Sequence, residues 1–228
     1  MIFKQEFDTK SSTYTYIIAS AKGREAVIID PVIENVESYI KILSELDLKL
    51  VKVIDTHIHA DHVTGASKLQ KVTSCTTLMG EHTPADTVDI KVKDGEIVDI
   101  DNLKIKSLYT PGHTSDSYSF LLNNYLFTGD TLLINGTGRT DFQNGSSKDA
   151  YNSLFNNLLK LPEETLVYPG HDYNGKFSST IGKEKKFNPR LQVSNVEEYI
   201  EIMNNLNLKK PAEIDFNVAN NIRLGASG

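Results

Sequence analysis

The sequence predicts an α/β protein of the α+β kind, an αββα sandwich in which two sheets face one another and helices cover their outer sides. Short apolar stretches of strand length alternate with amphipathic helical stretches in two broadly similar halves, as a sheet covered on one face by helices requires. Histidines and aspartates gather where those strands give way to loops, so a sheet edge would bring them together. At 228 residues and 39% hydrophobic, the chain can bury one sizeable core, and residues 1–228 are expected to form a single domain.

Ile2 to Phe7, Thr13 to Ala19 and Glu25 to Asp30 read as short strands separated by DTKSS and by an AKG turn, which predicts an antiparallel, hairpin-rich opening sheet. From Asn35 to Leu46 the apolar residues Val36, Ile40, Leu43 and Leu46 recur at helical spacing, and Lys49 to Ile54 returns to a strand. A second helix is expected from Asp61 to Val72. Strands follow at Thr76 to Met79, Ile97 to Ile100, Leu103 to Leu108, Ser117 to Leu122 and Tyr125 to Phe127. Lys148 to Leu161 reads as a helix with Tyr151, Leu154, Phe155, Leu158 and Leu159 on its apolar face. Thr165 to Tyr168 supplies a last strand and Val196 to Leu206 a last helix, and the tail beyond Asn207 is irregular. No repeat, linker or low-complexity tract interrupts the pattern.

A net charge of -6 argues against a nucleic-acid partner, which calls for a basic face to neutralise phosphates. A small anionic ligand must then find a local basic group. The single cysteine, Cys75, excludes an internal disulfide and reads as a small apolar residue beside a strand. No stretch reaches the ~18 apolar residues of a membrane span, and MIFKQEFDTK has no basic region leading into an apolar run. The expected location is the cytoplasm, or the mitochondrial matrix if a transit peptide precedes this sequence. A homodimer is compatible with all of this.

The chemistry concentrates in Thr56-His57-Ile58-His59-Ala60-Asp61-His62, just after the strand ending near Ile54. In extended backbone His57 and His59 project to one side, while Asp61 and His62 turn toward the same space. His113 follows a Pro-Gly turn in TPGHT, His171 another in YPGHD, and Asp130 closes FTGD, where Gly129 permits a sharp turn. Any one of these histidines alone would be an ordinary hydrogen-bonded residue. Five of the six histidines with two aspartates, all at strand-to-loop junctions, point to a metal centre. The sixth, His82 in EHTP, lacks a partner motif and reads as a surface residue.

The order HxHxDH, then His113, Asp130 and His171, resembles the metallo-β-lactamase superfamily along almost the whole chain. Within it, TGDTLLINGTGRTDF (128–142), YPGHDYNG (168–175) and NPRL (188–191) resemble the persulfide dioxygenases, the ethylmalonic encephalopathy protein family. That resemblance implies one iron(II) per chain, held by His57, His113 and Asp130, and the oxidation of glutathione persulfide by O2 to sulfite and glutathione. It also implies that His59, Asp61, His62 and His171, metal ligands in binuclear relatives, here serve as surrounding catalytic groups that orient ligands and handle protons. Two imidazoles and one carboxylate on one face leave coordination positions open, as such chemistry needs. Thr137 stands where these relatives often carry cysteine.

Arg139 is the expected anchor for a glutathione carboxylate, because a guanidinium grips a carboxylate through a two-pronged fork; it could instead bridge Asp141 or Asp172. Tyr173 and Lys176 would complete a polar pocket near His171, with a solvated surface role open for Lys176. The competing activity is a glyoxalase II-like binuclear hydrolase of glutathione thioesters, for which all seven ligands are present. The segment after His171 leaves little room for the helical C-terminal region of those enzymes, and GRTDF favours the dioxygenase. A metal-binding protein without turnover is the third alternative.

Overall fold

The computed structural model describes residues 1–210 and 213–226. Strands β1 (Ile2–Asp8), β2 (Thr13–Ala19) and β3 (Glu25–Ile29) open the first sheet as an antiparallel meander. Helix α1 (Val36–Glu45) crosses over to β4 (Lys49–Ile54), and α2 (Ala66–Thr73) to β5 (Thr76–Gly80), which pairs with β6 (Ile90–Val92). The first sheet therefore runs β1-β2-β3-β4-β5-β6 and is mixed: its three opening strands are antiparallel as expected, and β3 to β6 pair in parallel. A helical crossover returns the chain to the same end of the sheet, which makes the flanking strands parallel.

The second sheet takes up β7 (Ile97–Ile100), β8 (Leu103–Tyr109), β9 (Tyr118–Leu122) and β10 (Tyr125–Gly129). A two-stranded hairpin, β11 (Leu132–Leu133) with β12 (Gly136–Thr137), and helix α3 (Ser147–Tyr151) follow before β13 (Leu166–Pro169) and β14 (Ser179–Thr180) complete it in the order β14-β13-β10-β9-β8-β7. Helices α4 (Ile181–Phe187), α5 (Val196–Asn204) and α6 (Ile214–Asn221) end the chain. The αββα architecture is as the sequence predicts.

Strand period 2 explains the layering. Along β2, Tyr16 and Ile18 face the second sheet, where they meet Ile105, Phe120 and Phe127, whereas Ile17 and Ala19 face outward onto Tyr39, Leu43 and Leu69 of α1 and α2. The rings of Tyr16 and Phe127 lie 4.9 Å apart across the sandwich. A third layer packs Leu126 and Val167 against Leu154, Leu158, Ile181 and Tyr199. Cys75 is buried in the outer layer beside β5, and burial pushes its thiol pKa up.

Three elements depart from expectation. Residues 61–65 form a loop and α2 starts only at Ala66, because this loop's backbone is paired elsewhere: Val63 O accepts from Ile33 N, and Thr64 N donates to the Asn221 side chain. The helix expected over 148–161 is α-helical only as far as Tyr151, widens into a π-helical stretch over Asn152–Asn157, and closes in a 3-10 turn over Leu158–Lys160. Of the tail expected to be irregular, 211–212 and 227–228 lie outside the described residues, and Ile214–Asn221 is a helix. Its weak apolar periodicity hid it: this helix buries Asn217 and Asn221 rather than a hydrocarbon stripe.

Candidate metal centre

Parallel pairing puts the carboxyl ends of β3 and β4 side by side in one sheet, and those of β10 and β13 in the other. The loops leaving them carry Asp30, His57, Asp130 and His171 to one edge of the sandwich, all buried except Asp130, which is half-buried. Gly129 turns the chain after β10 with φ +48°, and a Cβ there would sit 2.5 Å from Thr56 Oγ1. Gly129→Ala is therefore expected to cost about 1–3 kcal/mol through strain and collision. It should also displace Thr56 and lower metal content, as thermal unfolding and metal analysis on one preparation would record.

His57, His113 and Asp130 each offer a ligand atom within 4.8 Å of the others. Hydrogen bonding decides which atoms are free. Thr56 Oγ1 donates its proton to Asp30 Oδ2 at 3.0 Å, so it accepts from His57 Nδ1–H at 2.9 Å. His113 Nδ1–H donates to the Arg139 carbonyl at 2.7 Å. In the neutral ring each of these bonds puts the proton on Nδ1 and leaves Nε2 free, the tautomer a metal ligand needs. Burial, reinforced by His59 and His113, holds the His57 pKa well below its usual value against the pull of Asp130 and Asp61. Asp130 accepts from His171 Nδ1 through Oδ1 at 2.6 Å, and its Oδ2 lies 3.5 Å from His113 Nε2. Burial alone would raise the Asp130 carboxyl, but His171, His113 and His57 outweigh it and keep it ionised well below the usual range. Two imidazole nitrogens and one carboxylate oxygen with no competing proton fit a divalent transition metal.

The other histidines are engaged differently. His171 donates Nδ1–H to Asp130 and Nε2–H to Asp61 Oδ2 at 2.9 Å, and these carboxylates lift its pKa well above normal despite its burial. Asp61 Oδ2 also receives Thr13 Oγ1 at 3.0 Å and His62 Nδ1 at 2.8 Å. His59 Nε2 is turned to Asp30 Oδ1 at 3.2 Å, and Asp30 and Asp55 raise its pKa well above normal against the effect of burial. Among the described residues, His59 Nδ1 and His62 Nε2 are buried without a hydrogen-bond partner. His82 lies elsewhere, exposed and stacked on Tyr109 at 3.9 Å.

A cavity of about 550 Å³ opens over His113, Asp130, Asp61 and His171, with Leu133, Ile134 and Phe142 among its apolar walls. Arg139 lines it, but its guanidinium is already gripped: Nε and one Nη each donate to Asp141 at 2.7 Å, and the other Nη donates to the Lys209 carbonyl at 2.7 Å. Of the two bridges weighed from sequence, Asp141 is the one formed. Tyr173 stands at the rim, 71% exposed, its ring parallel to that of His171. Lys176 does not line the cavity; Asp172 Oδ2 and Tyr14 Oη hold its backbone while its side chain is exposed.

Sequence reasoning passed over Arg190. It lines the same cavity, half-buried, and donates to the Thr137 carbonyl with no carboxylate within 4 Å among the described residues. Its signal was the NPRL run: Asn188 caps the short turn Pro189–Leu191 and binds Gly136 O and Glu184, which fixes Arg190 against the hairpin of β11 and β12. Asp30 and Asn221 were also missed, being lone polar residues far from any histidine in the sequence.

Residues 8–85 and 78–171 match the Metallo-beta-lactamase superfamily. The chain is 40% identical to the human mitochondrial persulfide dioxygenase ETHE1, an alignment covering 99% of this chain and 89% of that protein. The crystal structure of ETHE1 from Myxococcus xanthus is 48% identical and superposes with a TM-score of 0.97, covering 99% of this chain and all of that one. The hydroxyacylglutathione hydrolase of Dictyostelium discoideum is 34% identical, over 76% of this chain and 68% of its own.

Proposed function

The chain belongs to the metallo-β-lactamase superfamily and, within it, to the persulfide dioxygenases, and from that membership we propose that it oxidises glutathione persulfide with O2 using one iron(II) per chain. It is a sulfur dioxygenase. In the proposed reaction glutathione persulfide, dioxygen and water give glutathione, sulfite and protons. The observation that carries the single-iron assignment is the contrast in hydrogen bonding: His57, His113 and Asp130 keep ligand atoms free, whereas both nitrogens of His171 and the inner oxygen of Asp61 are committed to one another and to Asp130, Thr13 and His62.

Iron(II), when bound, supplies the one-electron steps that bring a spin-paired persulfide and triplet dioxygen into reaction. The chain's own residues do the rest. Thr56 and Asp30 hold the ring of His57, and the Arg139 carbonyl holds that of His113. Leu133, Ile134 and Phe142 shield the reacting sulfur from bulk water. His171 holds a proton at Nε2, which Asp61 can exchange with the cavity as product forms. Arg190 receives a carboxylate of the carrier thiol, with Tyr173 at the rim.

Protein purified without oxygen is expected to carry about one iron per chain, as a three-ligand site with open positions would. It should form sulfite and consume O2 in equal amounts, fastest with glutathione persulfide in a panel that includes the coenzyme A persulfide. Two tightly held zinc ions per chain, with thioesterase activity and no oxygen uptake, would overturn this reading in favour of a binuclear hydrolase, which the unpartnered Nε2 of His62 favours. Among the described residues no helix is long and apolar enough to cross a membrane. Of the two expected locations, cytoplasm and mitochondrial matrix, the mitochondrial relatives support the second.

A further inference from the structure

We propose that the C-terminal helix α6 is a clasp that sets metal affinity, with Asn221 and Asn217 acting as positioning residues for the loop that carries His57 to His62. The inference rests on the metal centre described above. Between His59 and Thr64 this loop lies in no helix and touches a strand-like partner only where Val32 bridges Thr64 and Ile33 N donates to Val63 O; α6 supplies partners for His59, Ala60, His62 and Thr64 N. Asn221 Nδ2 donates to the carbonyls of His59 at 2.8 Å and His62 at 2.7 Å, while its Oδ1 accepts from Thr64 N at 2.9 Å. Asn217 Nδ2 donates to the Ala60 carbonyl at 2.9 Å.

A primary amide offers two donors and an acceptor at one tip, which is what two carbonyls and one N–H demand. Spacing of four residues puts both asparagines on one face of α6, and both are buried, while Phe216 on the helix is 61% exposed. The chain beyond the helix closes the attachment. Leu224 O accepts from Ser67 N at 3.0 Å, and Gly225, at φ +72°, passes so near Thr64 O that a Cβ would lie 2.1 Å from it. A side chain that pairs the carbonyls of His59 and His62 fixes the loop's path, and with it the ring of His57. If the docked helix favours the metal-binding loop, linkage requires that bound metal favour the docked helix equally.

Both directions can be measured on apoprotein loaded with iron(II) under anaerobic conditions against a competing chelator. Asn221→Ala and the isosteric Asn221→Asp are each expected to weaken iron(II) binding about ten- to hundredfold, the range for groups that support a ligand from behind. Asn217→Ala should weaken it less, and Phe216→Ala not at all. In the wild type, iron(II) should slow amide hydrogen exchange over residues 214–221, and in Asn221→Ala it should not. A merely structural role would lower Tm in every buried variant yet leave iron affinity within about twofold, which would overturn the proposal. So would an absence of iron-dependent protection of 214–221 in the wild type, a result that does not require any variant to fold. Failure of the wild type to bind iron at all would instead sink the metal centre itself.

Discussion

His113→Ala and Asp130→Ala are expected to strip the protein of metal and abolish sulfite formation, while His171→Ala retains metal. Each of the first two removes one of the three ligand atoms of the group formed by His57, His113 and Asp130, so affinity should fall by more than the ten- to hundredfold that is usual for loss of a supporting group. His171→Ala removes a group that touches Asp130 from behind. Its metal affinity should drop only within about that ten- to hundredfold range. It should also lower Tm, because Asp61 and Asp130 lose the cation that keeps both ionised. Metal analysis and sulfite assays on the three variants separate the possibilities. If His171→Ala loses metal as completely as His113→Ala, the site is binuclear.

Replacing Arg190 by Gln should raise KM for glutathione persulfide about ten- to hundredfold with metal content and Tm unchanged, the kinetic equivalent of about 1.5–3 kcal/mol for a lost charge-assisted hydrogen bond. The motive is a half-buried guanidinium facing the cavity without a carboxylate partner among the described residues. Arg139→Gln should do the reverse. Its fork holds Asp141 and the Lys209 carbonyl, so its loss should lower Tm and loosen the wall that carries Phe142 and the carbonyl bonded to His113. A large KM effect for Arg139→Gln with none for Arg190→Gln would return the anchor to Arg139, where its place in the GRTDF run first suggests it.

The contrast between those two arginines marks the boundary of what could be read in advance. Residue types, their order and local period settle what is local: the strands of TYTYIIA and KLVKVI, the amphipathic stripe of α1, and a cluster of imidazoles and carboxylates at strand ends that nothing but a metal centre explains. Whether a given side chain is free or spent is not local. Arg139 is neutralised two residues away, but by a geometry that also needs Lys209. Nε2 of His171 is bonded to Asp61, 110 positions distant, and the loop of His57 to His62 is pinned by an asparagine more than 150 positions on. Sequence by itself determined the αββα layering and the cluster of candidate ligands, because burial patterns and donor chemistry are properties of single residues and short spacings. Tertiary structure alone decided which nitrogens and oxygens remain open to metal and substrate, because a hydrogen bond commits an atom only once folding has brought its partner within about 3 Å.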